Sequence, residues 1–141
     1  MGKIPTRIKA LGADGRNDQY KGLKFTANTA GSTIKLQKSG SAPTVYLTVS
    51  YNEGQTWSSY TVGNVLTMTN AGDTICFKAA SGRTNRFASG TSSYHRFVVT
   101  GSINASGNIM SLVSESMPSA FSSTYNFTYL FNNCTQLIDA S

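Results

Sequence analysis

Arg83 and Arg86, with Phe87 directly after the second, are the side chains whose types and spacing best suit recognition chemistry. Two guanidiniums beside an exposed aromatic ring can grip a glycan or an acidic surface. They sit in the segment Ala80 to Ser93 (ASGRTNRFASGTSS), long enough to be a binding loop. A plain connector explains the same composition, and that reading is preferred. Catalytic groups are harder to assemble. The one histidine, His95, lies in the run Tyr94-His95-Arg96-Phe97, where a sheet-packing or surface role is the simpler reading. A zinc-type site would need more than this histidine and the distant Cys76 and Cys134, unless carboxylates supplied the rest. The six carboxylates are scattered through Gly- and Asn-rich turns, with Asp14 and Asp18 the one close pair, so a paired-acid glycosidase is unsupported. No nucleophile elbow or phosphate-binding loop is present. The expectation is a protein without enzymatic activity, cofactor or metal.

One turn is sharply specified. Ser50-Tyr51-Asn52-Glu53-Gly54-Gln55-Thr56-Trp57 matches the S-x-D-x-G-x-T-W pattern called the Asp-box, with Asn52 where Asp is usual. The acceptor on Asn52 can close the turn on backbone donors, Gly54 can take positive φ, and Thr56 and Trp57 start the return strand. Asp-boxes recur in sialidases away from the active site. Ser50, Asn52, Gly54, Thr56 and Trp57 are therefore read as structural.

Charge is distributed unevenly. Charged residues make up 13% of the chain, against roughly 25% in an average globular protein, and Ser, Thr, Asn and Gly replace them. The net charge of +6 is already reached within residues 1–38, where Lys3, Arg7, Lys9, Arg16, Lys21, Lys24, Lys35 and Lys38 face Asp14 and Asp18. A basic leader ahead of a neutral domain suggests an acidic partner. Too few aromatics interleave with it for nucleic acid to be the expected partner. No secretion signal is visible, and no apolar run is long enough to span a membrane.

The elements that must position these groups are short strands. Residues 1–20 lack periodicity and read as an arm. Candidate strands follow at Gly22 to Ala27, Ser32 to Gln37, Thr44 to Tyr51, Trp57 to Val62, Val65 to Thr69, Thr74 to Ala79, Tyr94 to Gly101 and Asn108 to Val113. The clearest puts Val45, Leu47 and Val49 inward and Tyr46, Thr48 and Ser50 outward, the period of a half-buried strand. Cys76 reads as a small buried hydrophobe. About eight short strands predict an all-β fold, an antiparallel β-sandwich or jelly roll, with an extended N-terminal arm (1–21), a sandwich domain (22–116) and a short C-terminal helical repeat unit in 117–141.

That last unit, Tyr125 to Ser141 (YNFTYLFNNCTQLIDAS), places Phe127, Leu130 and Phe131 at helical spacings, then an Asn-Asn-Cys exit and the apolar Leu137-Ile138. One repeat cannot bury its own apolar face, so it must cap the preceding domain or be continued by further repeats. Two segments carry a family resemblance: Ser106-Gly107-Asn108-Ile109-Met110-Ser111-Leu112, and Phe127-x-x-Leu130-Phe131-x-Asn133-Cys134-Thr135-x-Leu137-x-x-Ala140. Together with the V-S-Y-N-x-G-x-T-W hairpin they resemble the N-terminal β domain and first repeat of BspA-type leucine-rich-repeat surface proteins, found in gut Bacteroidales and their tailed, crAss-like bacteriophages. The resemblance covers roughly residues 22–141 and implies adhesion or display without catalysis. The missing signal favours a virion component: a head-fibre, tail-fibre or decoration protein, homo-oligomeric, with Lys3, Ile4, Arg7, Ile8 and Lys9 anchoring it to capsid or tail proteins. Host glycans are a further expected partner. The alternative is a carbohydrate-binding adhesin module on a bacterial surface.

Overall fold

A computed structural model of the chain describes residues 22–114, 130–131 and 137–140. The expected arm, with Lys3, Ile4, Arg7, Ile8 and Lys9, lies outside these residues, as do Phe127 and Cys134. Ten strands are described: β1 Leu23–Ala27, β2 Ser32–Ser39, β3 Leu47–Ser50, β4 Ser58–Tyr60, β5 Leu66–Met68, β6 Thr74–Ala79, β7 Ala88–Gly90, β8 Ser93–Thr100, β9 Ile103–Gly107 and β10 Leu137–Ala140. They form two facing sheets, ordered β10-β9-β1-β6-β3-β4 and β5-β2-β8-β7. Every pairing is antiparallel except β10 on β9. The chain is an all-β sandwich, as its alternating runs predict.

Alternation builds the core. Leu23, Phe25 and Ala27 of β1 and Ile34 and Leu36 of β2 point inward and are buried. Phe25 and Phe77 from the larger sheet meet Phe97 from the smaller, with ring centroids 5.0 Å apart for Phe25–Phe97 and 5.4 Å for Phe77–Phe97. Removing these apolar surfaces from water is the dominant favourable term. Tyr60 ties the layers through its hydroxyl, which accepts from the Leu36 N–H at 3.0 Å and donates to the Asn64 carbonyl at 2.6 Å. Close backbone approach at the sheet end is met by glycine. Gly22 and Gly107 have φ of 81° and 94°, and a Cβ on either would overlap a carbonyl oxygen, that of Phe77 or of Gly22.

The expected strand Asn108 to Val113 is instead a 3-10 helix, Ile109–Leu112. The Asn108 side-chain oxygen accepts from the Met110 N–H at 2.9 Å, and the Ser111 hydroxyl donates to the Asn108 carbonyl at 2.6 Å. These local bonds cap a helical turn and compete with sheet pairing. Three strands lack a signal in the sequence: β9 reads INASG, too polar and Gly-rich, β7 lies within the segment read as a connector, and β10 stands where the helical repeat unit is expected, its backbone drawn into extended pairing by the edge of β9.

The C-terminal unit is part of the sandwich where it is described. Leu130 is 1% exposed and belongs to the core, and Phe131 stacks on Phe97 with centroids 5.8 Å apart. Residues 130–131 form a turn, and Leu137–Ala140 is a strand. The outer edge of β8 is paired in succession: the Phe87 carbonyl accepts from the His95 N–H at 2.8 Å and the Leu130 carbonyl from the Phe97 N–H at 2.7 Å. β10 covers the edge of β9 in the other sheet. Segments of one C-terminal stretch thus occupy edges of both sheets, which leaves fewer unpaired backbone groups to template association. Of the two fates foreseen for this unit, the described residues pack on the β domain.

Candidate functional site

The Asp-box turn joins β3 to β4 through a dense side-chain network. The Ser50 hydroxyl donates to Asn52 Oδ1 at 2.8 Å and accepts from the Gly54 N–H at 2.8 Å. Asn52 Oδ1 also accepts from the Thr56 N–H at 2.9 Å, and Nδ2 donates to Thr56 Oγ1 at 2.8 Å. An amide at position 52 therefore supplies a donor that a carboxylate could not. Glu53 and Gly54 take φ of 57° and 90°, and the Trp57 indole N–H donates to the Gly54 carbonyl at 3.0 Å. Ser50 lies on the outward side as its alternation predicts, yet it is buried, because the turn folds back onto its hydroxyl. Glu53 pairs with Lys24 at 3.1 Å on the surface. Beside the turn an open polar cleft of about 480 Å³ is lined by Tyr51, Asn52, Glu53, Gln55, Gly72, Asp73 and Thr74.

On the outer face of the larger sheet, two cations lie over two aromatic rings. Tyr46, outward between the buried Val45 and Leu47, carries the Arg83 guanidinium 3.9 Å from its ring centroid. Trp57 carries the Lys78 ammonium at 4.6 Å. The strand register makes these pairs neighbours: Thr48, two positions after Tyr46, sits between Lys78 of β6 and Ser59 of β4. Cation–aromatic contacts of this kind are worth about 0.5–1 kcal/mol at exposed sites and hold both partners in place.

Asn85 fixes the loop that delivers Arg83. It is 2% exposed, its Oδ1 accepts from the Tyr46 N–H at 2.9 Å, and its Nδ2 donates to the Tyr46 carbonyl at 2.9 Å and the Leu112 carbonyl at 2.8 Å. The side chain thus acts as an extra piece of strand edge. The same loop corrects one expectation. Phe87 is fully buried, edge-on to His95 with centroids 6.3 Å apart, so its ring is core and offers no surface to a ligand. Arg86 is exposed. Arg83 and Trp57, singled out for separate reasons, come together on one face. Tyr46, Lys78 and Asn85 complete the arrangement; only the outward phase of Tyr46 signalled any of the three.

His95 is 1% exposed, with Nε2 2.7 Å from the Pro43 carbonyl. A carbonyl only accepts, so Nε2 bears the proton, and Nδ1 is left buried without a partner. Burial pushes its pKa below the ordinary 6.5, and the charge of Lys38 adds to this against the opposing Pro43 bond. The unfolded chain therefore binds more protons than the folded one below about pH 6.5. Stability is full above that pH, falls as pH drops through it, and levels off below the folded-state pKa. Melting curves between pH 7.5 and 5 should show a steeper loss for the wild type than for His95→Gln; equal slopes would refute this.

Among the described residues, no group of three or more His, Cys, Asp or Glu side chains is placed to hold a metal ion. Cys76 is fully buried between Lys24 and Ser50 in the sheet register. No helix of the described residues is long and apolar enough to cross a membrane. No protein-family model, curated protein or solved structure matches the chain.

Proposed function

We propose that this chain is a non-enzymatic display protein of a bacteriophage virion, anchored on capsid or tail protein by its basic N-terminal arm and presenting the β-sandwich for adhesion to a host or surface. The observation that carries this reading is the docking of the C-terminal unit. Leu130 and Phe131 spend their apolar surface on the core around Phe97, so the sandwich and the described part of the repeat-like unit form one body suited to projection from an anchor. Among the described residues, His95 holds Pro43, Glu53 pairs with Lys24, and Asp73 accepts from the Asn70 N–H at 3.0 Å, so these groups have structural duties. Lys3, Arg7 and Lys9 of the arm supply the electrostatic attraction to a partner. A protein inventory of purified particles from the native source tests the reading: the chain should be a stoichiometric component, and its confinement to the bacterial envelope would overturn it. That second outcome belongs to the adhesin reading, which the Tyr46–Arg83 and Trp57–Lys78 pairs favour.

A further inference from the structure

We infer that the outer face of the larger sheet, built from Tyr46, Trp57, Lys78 and Arg83, is a binding site for acidic glycans, with Arg83 receiving a sugar carboxylate. The inference rests on reading the sandwich as a displayed adhesion module and names the ligand class of that face.

Charge and shape are the grounds. The Arg83 guanidinium carbon sits over the Tyr46 ring, and the N–H donors of a guanidinium lie in its plane, at the rim. A rim so held matches a planar carboxylate through two parallel hydrogen bonds, without the entropy cost of ordering a free arginine. No carboxylate among the described residues is paired with Arg83, and Glu53 is engaged by Lys24. The second cation stands close by. Lys78 is opposite Thr48, two residues from Tyr46, a separation of about 7 Å along a strand. Between the pairs the exposed Ser59 hydroxyl is suited to a sugar hydroxyl, and the Thr48 hydroxyl, which donates to the Lys78 carbonyl at 3.4 Å, can still accept from one. Single-stranded nucleic acid fits less well. It is gripped by aromatic faces on which bases stack along a continuous cationic groove, and here each ring has a face already covered by a cation.

The test is calorimetric titration of the full chain with an oligogalacturonate, its methyl-esterified neutral counterpart, and single-stranded DNA of equal charge. The acidic oligosaccharide should bind, the ester should not, and the DNA should bind more weakly. Arg83→Ala should weaken oligogalacturonate binding about tenfold or more, consistent with loss of a bidentate charged pair. Lys35→Ala, which removes one charge from the other sheet, should change it less than twofold. Equal losses from both variants would reduce the effect to net charge and overturn the site. Binding of the ester as strong as that of the acid, preference for DNA, or no oligogalacturonate binding would overturn it too. The isolated chain is used, so failure here is separable from failure to find the chain on particles.

Discussion

Replacing Leu130 by alanine is expected to destabilise the folded chain by roughly 2–5 kcal/mol, the range for truncating a fully buried leucine. Leu130 is 1% exposed and sits in the core cluster with Phe25, Phe77 and Phe97. The truncation removes apolar contacts and leaves a cavity between the sheets, next to the Phe97–Phe131 stack. The backbone bond from the Phe97 N–H to the Leu130 carbonyl survives the substitution, so the cost isolates side-chain burial. Domains of this size are stable by about 5–15 kcal/mol, and the loss is a large fraction of that. Urea unfolding reads it directly as a lowered midpoint. A change under about 0.5 kcal/mol, typical of surface sites, would mean that the C-terminal unit is not built into the sandwich.

Asn85→Ala should cost nearly as much, roughly 2–4 kcal/mol, through polar groups rather than cavity volume. Its amide makes three hydrogen bonds from a position 2% exposed. The Tyr46 carbonyl keeps a second partner in the Ala80 N–H at 3.0 Å. The Tyr46 N–H and the Leu112 carbonyl lose the Asn85 amide, and each buried polar group left unpaired costs about 1–3 kcal/mol. Asn85→Asp gives no rescue, because it removes both donors and buries a charge. The effect should also reach Arg83, two residues away, whose seat on Tyr46 depends on the loop that Asn85 pins. Denaturation of both variants checks the stability loss, and one below about 0.5 kcal/mol would contradict it.

The sandwich was legible because its strands alternate. Val45, Leu47 and Val49, Ile75 and Phe77, and Phe97 and Val99 are all buried as their period of two demands. The Asp-box could be read because it is local, with partners within four residues. What failed depended on competition or distance. Asn108 diverts its segment into a capped 3-10 helix although Ile109, Met110 and Leu112 are apolar enough for a strand. Phe87 looks exposed in a Gly/Ser-rich stretch, yet its backbone pairs with β8 and draws the ring into the core. The meeting of Arg83 with Tyr46, 37 positions apart in the chain, required the Asn85 bridge, and no periodicity encodes a side chain that imitates a strand. The phase of Tyr46 and the presence of a basic residue in the loop were visible; their contact was not.

Retention of the chain on purified particles through a rising salt series is the most direct measure of an anchored display role. Particles assembled with Lys3, Arg7 and Lys9 neutralised should release the chain at lower salt than wild-type particles, because counterions screen an attraction that those residues supply. Identical release curves for the two would contradict an electrostatic arm, and absence of the chain from wild-type particles would contradict the virion role itself.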